Sequence, residues 1–508
     1  MGMLSRLCLI ALALLGIASP GLAVPGSQGP ASGIRPEVVH PAPNRQSGTA
    51  GRIFDVPRGF ETSLAHVEDL KHYGPPQQAL GGREIVYDTN TGSDLQPFAA
   101  AQGVGFPGLL QNGFIPYDGA IAVGPRQILV MTNSQFAVYD KATGAQLYMT
   151  QFGPFFGAAG GGGFDPKCFY DAAGHFVLMV VERNASARLG LIDIAVSQTS
   201  DATGPYYKYS FDATVTGTVE TYTWADYPSL GYDETRIYVG SNQYSFGNSF
   251  QFAKVRAFSK AQLYSGGPAT YVDFANILLA DGSKAFTVKA ARNLSRSAVG
   301  HFLATRPAGG SLVTTWTITG TFPALARSAP RTVLIGSYAV PPDAAQPGTP
   351  ALIATGDCRT QDVVWQNGSS YTAFSERVGT KHRTYTNAIR YLQISDPGVA
   401  VRDITYTAAG IDMYYPAVSV DRTGNAVIVF GRSSGSQYAS MYQTRLRVGG
   451  TIEASTLVKG GISTNTSGRW GDFNGVANDP ANANTIWGYV GWANSSNRWA
   501  TWIVALAP

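Results

Sequence analysis

From Tyr117 to the end of the chain, short apolar runs alternate with turns built on Gly, Asp, Asn or Pro, and the same grammar recurs seven times. Each unit is an apolar strand, a turn and a second apolar strand: "YDGAIAVGPRQILVMTN" from Tyr117, "FDPKCFYDAAGHFVLMVVE" from Phe164, "ADYPSLGYDETRIYVGSNQ" from Ala225 and "VKAARNLSRSAVGHFLAT" from Val288. Then come "GDCRTQDVVWQNGSSYTAFSE" from Gly356, "YYPAVSVDRTGNAVIVFGR" from Tyr414 and "GRWGDFNGVANDPANANTIWGYVGW" from Gly468. This is hairpin grammar. Further strand-like runs such as "QFAVYDKATGAQLYMT" lie between units, and from Asp118 to Asp472 the units are about 59 residues apart. A four-stranded propeller blade takes roughly 40–50 residues, so the spacing predicts blades with moderately long loops. The expected fold is all-β, a seven-bladed β-propeller of antiparallel four-stranded blades. Two or three β-sandwiches would also space short strands regularly, but give no reason for one unit to recur seven times.

The N-terminal part lacks this rhythm. Residues 1–23 read as a signal peptide, with an apolar run from Leu7 to Ile17 and a small-residue end at Ala23; the run is too short to span a bilayer. Residues 24–52 are rich in Pro and Gly and read as a disordered lead. Residues 53–113 form an N-terminal strand region, with "REIVYDTNTG" as an extra or ring-closing strand, and 114–508 are the propeller. The final "RWATWIVALA" is expected to pair with an N-terminal strand, because closure removes exposed edges. The expected product is secreted, extracellular or periplasmic, without a membrane span.

Composition supports strands over helices: charged residues are 14% and glycines number 59. A net charge of +4 without a basic run argues against a nucleic-acid partner. Beyond the signal segment only Cys168 and Cys358 remain. Falling in the second and fifth units, they are expected to be buried free thiols.

In a propeller the innermost strands line a central channel, so equivalent repeat positions share one ring. The start of the first strand is occupied by Asp118, Asp165, Asp226, Asp357, Tyr414 or Tyr415, and Asp472; only the fourth unit, around Lys289 and Ala291, lacks an acid or tyrosine. Clustered carboxylates repel, and persist when hydrogen-bonded, neutralised or used in chemistry. Lys167, Arg359 and Arg469 are nearby positive partners. Three readings stand: aspartates that set turns by accepting backbone N–H bonds, an acid and base pair acting on a glycan, and oxygen ligands of a calcium ion. No cofactor is otherwise required. A second set, Asp171, Asp233, Asp421 and Asp479, lies in turns inside the units and reads as structural.

For an enzyme, the candidate catalytic residues are Asp118, Asp165, Asp226, Asp472 and Tyr415. Tyr227, Arg359, Arg469 and Trp470 are candidates for substrate binding, with Arg469 gripping an acidic sugar group and Trp224 or Trp470 stacking on sugar faces. A lyase would instead draw its base from His175, His301 or His382. "GRSSG" around Ser433 matches a nucleophile elbow, but a strand-like run follows it where a helix is needed.

As a set, "IPYDGAIAVGPRQILVMTNSQFAVYDK", "FDPKCFYD", "DYPSLGYDETRIYVGSNQY" and "RWGDFNGVANDPANANTIWGYVGWANSSNRWATWI" resemble a family of secreted bacterial sialidase-like β-propellers, largely uncharacterised. The family pattern reads "PPDTNGAVGP", "DP…YD", "DYP" and "RWGDYS"; this chain departs from it at Tyr117, Gly119 and Phe473. The resemblance covers Phe114 to the C-terminus and implies fold and export. The functional expectation is a secreted propeller that recognises or cleaves an extracellular polysaccharide at the channel mouth, as a glycoside hydrolase or polysaccharide lyase, and acts as a monomer. The alternative is a non-catalytic extracellular binding or adhesion module.

Overall fold

The computed structural model describes residues 23–39, 54–55, 82–90, 104–379, 385–396, 398–467, 469–495 and 497–508. The stretch up to residue 22 expected to be a signal peptide, residues 40–52, His66, His72 and His382 lie outside the described residues. Each of the seven sequence units supplies one inner strand, and these touch in turn around a closed ring. Ala120–Val123 meets Gly163–Tyr170, which meets Thr223–Tyr232; Lys289–Ala290, Asp362–Gln366, Asp412–Val420 and Gly475–Asn478 follow, and the last returns to Ala120–Val123. The inner strands are almost wholly buried, because sheets cover both of their faces. That is why "AIAV" and "PAVSV" are continuous apolar runs with little alternation.

The cores lie between consecutive units. Leu129 and Phe136 pack against Phe176 and Leu178; Met179 and Ile194 against Leu230 and Val239; Val255 against Phe302 and Trp316. Leu303 and Val333 meet Phe374 and Leu392; Ile404 meets Val418 and Ile428; Val429 and Met441 meet Val490 and Val504. Ile128 and Val130 meet Tyr489 and Ile503, which brings the last unit onto the first.

Two expectations are corrected. The strands do not divide into seven separate four-stranded blades: among the described residues five sheets of four to six strands stand as discrete blades, eleven further strands run on as one continuous sheet, and two more sheets have two strands each. The cause is the fourth unit, whose inner strand is only Lys289–Ala290. The next piece, Arg292–Asn293, pairs parallel with Tyr232 on one side and with Val364 and Trp365 on the other, fusing the third and fifth units' sheets. Nor is the lead without structure over its described part. Val24–Pro25, Ser27–Gln28 and Glu37–Val39 add as short edge strands to Ala324–Arg327, Tyr271–Phe274 and Tyr206–Asp212. An outer strand presents unpaired N–H and C=O groups, and an extended Pro/Gly segment satisfies them.

Glu84–Tyr87 adds parallel to Val399–Thr407. The C-terminal strand Arg498–Leu506 pairs antiparallel with Gly105–Leu110, Ile503 opposite Phe106. Among the described residues no helix is long and apolar enough to cross a membrane. Cys168 and Cys358 are free and buried.

The outer part of the third unit carries a buried ion pair. Arg256 holds Asp273 with Nε and Nη2 at 2.8 and 2.9 Å, and both side chains are fully excluded from solvent. Breaking such a pair on one side leaves a buried charge uncompensated. Asp273→Ala is expected to lower stability by about 3–5 kcal/mol, read as a lower urea midpoint with unchanged slope.

Candidate functional site

The site is made by a repeated backbone irregularity. Asp118, Asp165, Tyr227, Thr287 and Tyr415 have φ of 44°, 50°, 47°, 52° and 50°, and Gly356 takes the left-handed conformation ahead of the fifth inner strand, at 72°. Non-glycine residues there cost of order 1–3 kcal/mol each and persist only where their surroundings hold them. In the second, third and sixth units the strand register shifts at Asp165-Pro166, Tyr227-Pro228 and Tyr415-Pro416. Proline suits the bulge because it has no N–H to leave unpaired.

What holds these residues is a side chain from the adjacent unit. Asn133 Oδ1 accepts from Asp165 N at 2.7 Å, while its Nδ2 donates to Asp118 Oδ2 at 2.6 Å. Asp165 Oδ2 accepts from Tyr227 N at 3.1 Å, Asn242 Oδ1 from Thr287 N at 2.7 Å, and Ser375 Oγ from Tyr415 N at 3.2 Å. Asn474 Nδ2 donates to the Tyr415 carbonyl at 2.6 Å, and Asp118 Oδ1 accepts from Asp472 N at 2.7 Å. Tyr117 donates its hydroxyl to Asn474 Oδ1.

These contacts draw carboxylate oxygens of Asp118, Asp165 and Asp472 within 4.8 Å of one another. Asp118 is fully buried, whereas the Asp472 side chain keeps 21% of its surface and is the exposed member. Burial, then repulsion from Asp472 and Asp165, pushes Asp118 well above the usual carboxylate range. Burial and Asp472 raise Asp165 to about 6, with Lys167 and Arg469 opposing. Asp226 is also pushed well up, by burial and then by Asp165. Arg469 Nη2 lies 3.2 Å from Asp472 Oδ2.

Other candidates have different roles. Asp357 is held bidentately by Arg359, at 2.9 Å to Nε and 2.7 Å to Nη2, with the guanidinium over the Tyr227 ring. Burial works against the charge of Arg359, but Asp357 outweighs it and carries the group well above its ordinary value. Tyr227 spans the channel, its hydroxyl 3.0 Å from both Gln361 Oε1 and the Asp472 carbonyl, and its ring meets Phe473 edge-on. It is a cross-brace, as is Tyr415, whose hydroxyl reaches the Ala354 carbonyl at 3.1 Å.

The expectation that Trp470 or Trp224 stacks on sugar is corrected. Both are 2% exposed or less, Trp470 against Tyr117 and Trp224 between Phe164 and Tyr244. His301 lies stacked on Trp365, and His175 Nδ1 is 2.6 Å from the Ser197 carbonyl. Ser433 is buried mid-sheet opposite Asp412, which rules out an elbow.

The turn aspartates accept backbone N–H bonds as read: Asp171 from Ala173, Asp233 from Thr235 and Arg236, Asp421 from Thr423 and Asn425, and Asp479 from Ala481. The sequence reading missed Asn133, Asn242 and Ser375. For the first two a signal existed, since "MTNSQ" and "GSNQY" end the second strands of the first and third units with the same asparagine.

Calcium takes six to eight oxygens. Among the described residues the cluster offers three carboxylates. Both oxygens of Asp118 already accept hydrogen bonds, and Arg469 supplies positive charge at Asp472. The donor set is therefore a poor fit to calcium.

No family model matches the chain, and no curated protein matches it. The resemblance drawn from motifs therefore rests on those motifs alone. Solved structures with similar strand arrangements include the α-L-arabinofuranosidase Arb93A of Fusarium graminearum, at 7% identity over 80% of this chain and 97% of that one, TM-score 0.35. The GH43 endo-arabinanase of Bacillus licheniformis is 11% identical over 68% and 100%, TM-score 0.30. The Trypanosoma rangeli sialidase is 8% identical over 67% and 54%, TM-score 0.33. Similarity this low carries no argument about chemistry.

The raised Asp165 has a consequence for stability. An aspartate unfolded near pH 4 and folded near 6 binds more protons when folded between those values, so its contribution falls as pH rises through that window. Asp165→Asn, which mimics the protonated form, is expected to gain in melting temperature relative to the parent as pH climbs from about 4 to about 6. A constant difference across paired melts would show that Asp165 is not raised.

Proposed function

We propose that the protein is a secreted propeller that cleaves glycosidic bonds in an extracellular polysaccharide at the acid-lined end of its channel. The observation that carries this reading is the Asp118, Asp165 and Asp472 cluster, with one partly exposed carboxylate beside another that burial and its neighbour raise to about 6. Hydrolysis with retention uses two carboxyl groups roughly 5 Å apart, one protonating the leaving oxygen and the other attacking the anomeric carbon. Asp472 takes the attacking role because it is exposed and oriented by Arg469. Asp165 takes the acid role. Asp118, whose oxygens are spent on Asn133 and the Asp472 backbone, positions the pair.

A second reading has its own support: Asp118 and Asp165 each accept a backbone N–H from an adjacent unit, a sufficient structural reason for both acids. On that reading the protein is a non-catalytic binding module.

The two separate on Asp472→Asn. The parent is assayed for new reducing ends on neutral and acidic polysaccharides, with unsaturated-uronate absorbance followed in parallel. The variant is expected to lose roughly 100-fold or more in turnover, with little change in melting temperature, because the latch uses the Asp472 backbone and not its carboxylate. Undiminished turnover would overturn the assignment of Asp472. Absence of product from the parent on every substrate, with binding retained, would establish the binding module instead.

A further inference from the structure

Beneath the acids lies a second layer of channel side chains. Two residues beyond Asp165, Tyr227, Thr287 and Asp472 stand Lys167, Ser229, Lys289 and Asn474. All four of these line one cavity together with Gln361 and Arg292. Three of the six are cationic. The cavity's acid, Asp362, is already engaged by Arg292, Nη2 to Oδ2 at 2.6 Å.

The two lysines are held without an ion pair among the described residues. Lys167 Nζ lies 2.6 Å from the centre of the Phe473 ring, and Lys289 Nζ lies 4.4 Å from that of Tyr227. An aromatic face satisfies an ammonium group only in part. Burial, and then each other's proximity, brings Lys167 well below its ordinary value; burial brings Lys289 down to about 7, with Arg359 adding and Asp362 opposing. Asp118 and Asp165 act on Lys167 from above, and Asp165 and Asp472 act on Lys289, without offsetting that burial. An anion between the two amines would favour their charged form, which burial disfavours. Gln361 adds a neutral donor, since its Oε1 takes the Tyr227 hydroxyl and its Nε2 remains for a ligand.

We infer that this layer is a binding site for a small oxyanion, a carboxylate or sulfate group, gripped by Lys167 and Lys289 with the Gln361 amide. The inference is independent of hydrolysis. The anion's source is either a free ion or the acidic group of a sugar.

The full chain is titrated calorimetrically with sodium sulfate, with glucuronate and with glucose, ionic strength being held constant with chloride. Saturable binding of sulfate or glucuronate, and none of glucose, is expected. Sulfate alone would identify a free inorganic ion, and glucuronate a sugar acid. Lys167→Met and Lys289→Met are each expected to weaken binding at least tenfold. As a readout that needs no variant, the parent is treated with an amine-reactive label with and without anion, and modification of Lys167, the more accessible of the two, is read by peptide mass spectrometry. Protection by the anion is expected. Lack of saturable binding by the parent, unchanged affinity in both folded variants, or lack of protection would each overturn the site.

Discussion

The structure depends on one repeated bond, a side-chain oxygen of one unit accepting the backbone N–H of a left-handed residue in the next. Sheets that meet only through apolar side chains are free to slide, because hydrophobic contact has little direction. A hydrogen bond to a strained backbone position fixes both register and angle. The strain is tolerable because the bond over-determines the conformation. Asn133 shows the economy of the device: one amide fixes Asp165 through its oxygen and Asp118 through its nitrogen, joining two units and orienting two carboxylates.

How far this could be read from sequence varies by residue. The Asp-Pro and Tyr-Pro pairs at 165, 227 and 415 are visible, and a proline after a polar or aromatic residue at a strand start announces a bulge. Equivalence by residue type misplaced the third unit, where the acid Asp226 drew the alignment but Tyr227 holds the left-handed position. In the fourth unit Thr287 does the same work without an acid, so composition gave no marker. The partner Ser375 lies in a different unit from Tyr415, which it holds, and spacing along one unit does not reveal it. The edge strands of the lead were hidden for a related reason: their pairing depends on an open edge elsewhere in the chain, not on any apolar period of their own.

The channel carries an acid cluster of Asp118, Asp165 and Asp472, and below it Lys167 and Lys289, which follow the left-handed Asp165 and Thr287 by two residues. Each layer moderates the other, since the acids favour the charged form of the lysines and Lys167 favours that of Asp165. Tyr227 and Phe473 meet edge to face between the layers, and each carries a lysine ammonium over its ring. The buried tryptophans take no part in this. Trp224 and Trp470 are spent on packing against neighbouring rings, which leaves neither a face for a sugar.

The candidate attacking carboxylate stands at the seam where the last unit returns to the first. That seam is held by the Asp472 backbone on Asp118, the Tyr117 hydroxyl on Asn474 and Lys141 on Asp479 at 2.8 Å. Such a seam resists opening, so a group placed there is pre-organised at little additional entropic cost. The same density of bonds makes most seam residues unsuitable as probes of function, because changing Asp118, Tyr117 or Asn474 alters closure and site together. Asp472 is the exception: its N–H belongs to the latch, while its carboxylate faces outward to Arg469 and solvent. Backbone for structure and side chain for chemistry is a division that lets one residue serve both, and it sets the acid at the joint apart from the acids inside it.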